Sequence, residues 1–204
     1  TTIDTFYTND AGMLITPEKL EFGKGYSLKE VSAPYGYVLS HEAVKFDVTE
    51  ENSTEESGVT IVAVKLGNYA QKGIIKISKT GEVFATVTAA DGVYQPVYTV
   101  QGLAGATYEI KAAADIYTPD GTLRCSAGEV VDTVTTGADG MAESNPLYLG
   151  KYEITEMKAP DGMVINKDAH TAELVYAGQE IEITETAASF CNDRQKARIS
   201  LSKV

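Results

Sequence analysis

Apolar and polar side chains exchange places residue by residue along much of the chain, in short runs closed by Gly, Pro, Asn or Asp. Successive residues of an extended strand point to opposite faces, so each run predicts a strand with one face buried. Strands are expected over 73–79, ending at Thr80-Gly81, and over 107–112, after the turn at 102–105. Two more span 130–135, before Ala138-Asp139-Gly140, and 151–156, stopped by Pro160-Asp161-Gly162. Residues 171–176 and 180–184 flank Ala177-Gly178 and predict a hairpin; a last strand covers 187–192. Residues 112–114 are too few to nucleate a helix, and 50–57 are expected to form a solvated loop. About seven short strands with regular turns predict an all-β sandwich.

The pattern occurs more than once. Tyr26-x-Leu28-x-Glu30-x-x-Ala33-Pro34-x-Gly36 returns about 126 residues later as Tyr152-x-Ile154-x-Glu156-x-x-Ala159-Pro160-x-Gly162. Residues 3–13 match 131–141, and Asn68-x-x-Gln71-Lys72 matches Asn192-x-x-Gln195-Lys196. Residues 1–69 therefore read as the C-terminal half of a repeat, 70–193 as a complete one, and 194–204 as the first strand of another. Units of this length are self-contained domains in tandem, and the chain is expected to be an internal segment of a longer protein.

One strand carries an acid among apolar neighbours. Tyr152, Ile154 and Glu156 share a face, as do Tyr26, Leu28 and Glu30. That face is the core face, so each glutamate is expected to be partly buried. A buried carboxylate without a partner is costly and requires a group to meet it.

Composition agrees with sheets: 12 Tyr and 5 Phe without Trp, and abundant Thr and Val. The formal charge of −12 argues against nucleic acid, whose phosphates need a basic surface, and against an anionic membrane. No run approaches the roughly 20 apolar residues that span a bilayer as a helix. Cys125 and Cys191 are too few for a disulfide framework, although they are free to pair. His41 and His170 stand in polar, turn-adjacent segments and are expected at the surface. No nucleophile elbow, phosphate-binding glycine loop or metal-spaced cluster accompanies them, so neither enzymatic turnover nor a metal or cofactor is expected.

Four motifs in order carry a family resemblance: Gly73-Ile-Ile-Lys76-Ile-Ser-Lys79, Leu103-Ala-Gly105-Ala-Thr-Tyr108-Glu-Ile110, the Tyr152–Gly162 glutamate box, and Ser189-Phe-Cys-Asn192. Together they resemble the collagen-adhesin B-type (Cna-B) and SpaA-type pilin domains of Gram-positive surface proteins. The resemblance implies Ig-like, prealbumin-like sandwiches in tandem, outside the cell in a cell-wall-anchored protein. It also implies an autocatalytic isopeptide bond in which Lys76 attacks the Asn192 carboxamide, ammonia leaves, and Glu156 carries protons. A neutral amine held against an amide at high effective concentration needs nothing else, and this is a single turnover within one chain.

Motif alignment selects Lys76, with Lys72 next; alternation does not decide, because Lys79 lies opposite Lys76 on the face of Ile75 and Ile77. Repeat one keeps Glu30 and Asn68, whereas Ser200 stands where Lys76 would be in the third. The implied function is a structural stalk or spacer, either pilus backbone or adhesin, with neighbouring repeats as partners. The alternative is a module that binds host extracellular matrix or glycan directly.

Overall fold

In the computed structural model, which describes residues 2–51, 54–56 and 59–203, every regular element is a strand. Numbered along the chain, the first are β1 (Gly23–Leu28), β2 (Tyr37–Val38), β3 (Val44–Val48), β4 (Thr54–Glu56), β5 (Val59–Ile61) and β6 (Tyr69–Ala70). Then come β7 (Lys72–Ala90), β8 (Val93–Gly102), β9 (Thr107–Ala112), β10 (Ile116–Tyr117), β11 (Leu123–Cys125) and β12 (Val130–Thr135). The last are β13 (Met141–Glu143), β14 (Leu147–Tyr148), β15 (Gly150–Lys158), β16 (His170–Leu174) and β17 (Ile183–Asn192). The chain forms two compact units, one of Thr1–Val31 with Ser40–Gly67 and one of Ser32–Leu39 with Asn68–Val204.

In the smaller unit β1 pairs antiparallel with β3, and Tyr26 stacks on its cross-strand partner Phe46 at 5.7 Å. β4, inside the stretch 50–57 expected to be a solvated loop, pairs antiparallel with β5, which lies beyond it. Residues 52, 53 and 57 of that stretch lie outside the described residues.

The larger unit is a two-layer sandwich. One sheet has the antiparallel order β12-β9-β15-β16; the other centres on β7, flanked by β13, β14 and β8 and by β17 running parallel to it. Alternation decides what lies between the layers. Ile75 and Ile77 from β7, Tyr108 and Ile110 from β9, and Tyr152 and Ile154 from β15 have no exposed surface. Burying one such side chain contributes roughly 1.5–3 kcal/mol.

The structure departs from expectation in three places. The strand starting at Gly73 does not stop at Thr80-Gly81 but runs to Ala90. Gly81 is a point of close packing and not a turn: a Cβ there would lie 2.6 Å from Leu103 Cδ1 and 3.1 Å from the Asn192 carbonyl oxygen. The reversal falls at Asp91-Gly92, both at positive φ (52° and 77°), the geometry of a two-residue hairpin turn. Residues 171–184 are likewise no hairpin, because β16 joins one sheet and β17 the other. Residues 195–203, expected to be a first strand, are in no described strand; Arg194 forms an isolated bridge to Met163.

Candidate functional site

Three strands converge on one polar cluster in the core of the larger unit. On β15 the inward series Tyr152, Ile154, Glu156 ends in a carboxylate 2% exposed. On β17 the inward series Ala188, Phe190, Asn192 ends in an amide 4% exposed. On β7 the inward series Ile75, Ile77, Lys79 ends in a lysine with no exposed surface. The parallel register of β7 and β17 sets Phe190 beside Lys79 and Asn192 beside Gly81. Tyr108, opposite Glu156 on β9, closes the cluster, its ring 4.5 Å from that of Phe190.

Within it, Asn192 Nδ2 donates to both Glu156 oxygens at 2.9 Å. The Asn166 N–H donates to Glu156 Oε2 at 2.8 Å, and the Tyr108 hydroxyl to Oε1 at 3.5 Å. Among the described residues, the side-chain oxygen Asn192 Oδ1 is buried without a hydrogen-bond partner, a cost of about 1–3 kcal/mol. Lys79 Nζ reaches only the Thr80 carbonyl oxygen, at 3.4 Å. Desolvation lowers the Lys79 pKa below its ordinary value, opposed by the charge of Glu156 and, less, of Cys191. Desolvation likewise raises the Tyr108 pKa, reinforced by the neighbouring glutamate, so the phenol stays protonated. The arrangement is an amine driven toward its neutral form, a carboxamide and a carboxyl group, together in a dry core.

The sequence-predicted residues divide accordingly. Glu156 and Asn192 are in the cluster. Lys76 is not: it lies on the outer face of β7, where its Nζ pairs with Glu185 Oε2 at 2.6 Å. That partner raises its pKa and favours the charged form. The pleat thus separates Lys76, selected by motif alignment as the cross-linking lysine, from the cluster, since residues 75, 77 and 79 turn inward together. Lys72 is half-buried, its Nζ 4.7 Å from the centre of the Tyr148 ring. Lys79 takes the inward place instead, on the face of Ile75 and Ile77, a choice that alternation within the strand leaves open.

Elsewhere, Glu30, in the smaller unit, is half-buried and accepts from the Ser40 N–H at 2.9 Å. Asn68, in the larger, donates from Nδ2 to the Val38 carbonyl at 3.2 Å. His170, expected at the surface, is half-buried against Phe190 with ring centres 4.3 Å apart. Cys125 and Cys191 are unpaired. Among the described residues no group of three His, Cys, Asp or Glu is placed to hold a metal ion.

The class these features define is a prealbumin-like β-sandwich with a lysine, an acid and an asparagine enclosed in its core. The SpaA family of prealbumin-like fold domains matches residues 1–63 and 97–187, and the chain belongs to that family. Over 74 residues it is 32% identical to the trypsin-resistant surface T6 protein of Streptococcus pyogenes serotype M6, a match covering 35% of this chain and 14% of that protein. The Bacillus anthracis TIE protein is similar in structure, with 27% identity and a TM-score of 0.50 over 92% of this chain and 28% of the other. GBS52, the minor pilin of Streptococcus agalactiae, is similar over 79% of this chain and 61% of its own, at 16% identity and TM-score 0.40. The chain therefore spans only a small part of the T6 and TIE proteins.

Proposed function

We propose that the chain is a spacer segment of a Gram-positive surface stalk or pilus, locked by an isopeptide bond between Lys79 and Asn192. The observation that carries this reading is the buried Lys79–Glu156–Asn192 cluster, built from β7, β15 and β17 of one sandwich. The neutral Lys79 amine attacks Asn192 Cγ; the new Nζ–Cγ bond forms, the Cγ–Nδ2 bond breaks, and Nδ2 leaves as ammonia with the proton that Lys79 gives up. Glu156, bound to Nδ2, is placed to carry that proton between the two nitrogens. Burial favours the neutral amine, and the fold holds the reactants together. The product turns β7 and β17 into one covalent unit. Tension entering along β7 then leaves through β17 and bypasses residues 80–191.

Intact-mass measurement tests it. The chain should be lighter than its sequence mass by one ammonia, and Lys79→Arg, Asn192→Ala and Glu156→Ala should each restore the full mass. Lys76→Arg should keep the loss. A full-mass parent chain would sink the cross-link, and a loss that survives Lys79→Arg would move it to another lysine.

One observation favours the adhesive reading: a cleft of about 260 Å³ in the larger unit, lined in part by Tyr35, Tyr117, Tyr148 and Tyr176. Saturable glycan binding abolished by Tyr117→Ala would support it; a blank glycan array would not.

A further inference from the structure

The motif Asn-x-x-Gln-Lys occurs twice, and both copies build the same backbone junction. In the first, the Gln71 N–H donates to the Gly36 carbonyl at 2.8 Å, while Tyr37 pairs with Ala70 and Val38 with Tyr69. In the second, the Gln195 N–H donates to the Gly162 carbonyl at 2.9 Å, Met163 bridges Arg194, and the Val164 N–H donates to Asp193 at 2.8 Å. Each Ala-Pro-x-Gly turn thus receives the strand that leaves the repeat.

The two glutamine side chains differ completely in surroundings. Gln71 has no exposed surface. Its Nε2 donates to the carbonyls of Gly178, at 2.9 Å, and Ile181, and its Oε1 accepts from the Ala177 N–H at 2.8 Å. These three side-chain hydrogen bonds all go into the turn between β16 and β17. That turn grips the incoming segment in return: Gln179 Oε1 accepts from the Ala33 N–H and its carbonyl from the Leu39 N–H, both at 2.9 Å. Gln195 is exposed, and its Nε2 reaches only Met163 of its own junction, at 3.2 Å.

We infer that Gln195 and the turn around Gly162 form a preformed docking surface for the β16–β17-type turn of another SpaA-type repeat. The inference rests on the tandem-repeat reading. The occupant is set by the group that fills the first junction: a backbone turn offering two carbonyls and one N–H to a buried amide. The segment after Gln195 fits a strand leading into such a repeat. Residues 196–203 align with 72–79, placing Ile199, Leu201 and Lys203 where Ile75, Ile77 and Lys79 turn inward. Ile199 and Leu201 are 91% and 94% exposed, apolar side chains that a second sheet would cover. With Lys79 as the inward lysine, the counterpart in this strand is Lys203; Ser200 matches only the outward Lys76. The junction is not a perfect copy, because Asp161 replaces Tyr35, whose ring contacts Tyr176 at 4.6 Å. The second joint therefore relies on the glutamine without that aromatic contact.

The test extends the chain, letting residues 1–195 run directly into a second copy of 72–204, and follows amide hydrogen exchange. The amide corresponding to Ala177 in the added copy should be protected, as Ala177 is by Gln71 in the first. Gln195→Ala should speed its exchange at least tenfold and leave Ala177 of the first copy unchanged; Gln71→Ala should do the reverse. The proposal is overturned if Gln195→Ala has no effect, or if that amide exchanges freely while the core amides of its copy stay protected. Loss of core protection throughout the added copy also counts against it, since Gln195 then seats no repeat. Ammonia loss, read by mass in the same samples, reports on the cross-link independently of Gln195.

Discussion

Glu30 and Glu156 close the same motif in different surroundings. Each accepts, through Oε2, the backbone N–H of the residue ten positions on: Ser40 at 2.9 Å and Asn166 at 2.8 Å. Each stands four residues after a Tyr, Glu156 within β15 and Glu30 two residues beyond the end of β1. Yet Glu156 is 2% exposed under a second sheet, while Glu30 is half-buried. Their neighbours show the same contrast, for Ile154 has no exposed surface and Leu28, at the matching position, is 36% exposed. A strand and its loop can be written into eleven residues, but a reactive environment cannot. It needs β7 and β17 overhead to exclude water and to bring an amine and an amide.

The sharpest way to break that comparison is to remove the two acids in turn. Glu156→Ala should lower the stability of the larger unit by about 4–5 kcal/mol, the value for closing a loop of roughly 100 residues covalently. Glu30→Ala should cost its own unit clearly less, because a half-buried carboxylate keeps part of its hydration. Chemical denaturation of both variants checks this, and equal losses would mean that Glu156 is merely structural.

Ile154→Ala should cost roughly 2–5 kcal/mol through the cavity it leaves, against well under 1 kcal/mol for Leu28→Ala. The two midpoints, compared under one set of conditions, read the difference in packing directly.

A smaller effect should appear with pH in Asn192→Ala, which keeps Lys79 as a free amine. Its folded pKa is lowered, so the unfolded chain binds more protons, and stability should rise with pH through the folded value toward the ordinary 10.5. Tyr108 and Tyr152, both raised from 10.0 by burial, act in the opposite direction once unfolded tyrosines ionise. The gain should therefore be visible below pH 10 and fade above it. A flat profile across the alkaline range would mean that Lys79 is not desolvated.

The smallest change belongs to Lys76→Ala. It removes an ion pair at the surface and should leave the denaturation midpoint nearly unchanged, with the mass deficit intact.

The sequence alone determined the strands over 107–112 and 130–135, the inward turn of Glu156 and Asn192, and the repeat itself. These come from alternation, which is local, and from self-similarity, which needs no coordinates. It did not determine where β7 ends, because Gly81 reads equally as a turn and as a point of close approach; only Leu103 and the Asn192 carbonyl against it decide. Nor did it choose the lysine. With Ile74 on one face of β7 and Ile75 and Ile77 on the other, neither face is apolar enough to name the core from within the strand. The choice came from the second sheet, which covers the face of Lys79 and leaves Lys76 to Glu185. Partners brought from other strands, far along the chain, set which face is dry, and that lies beyond the reach of any local pattern.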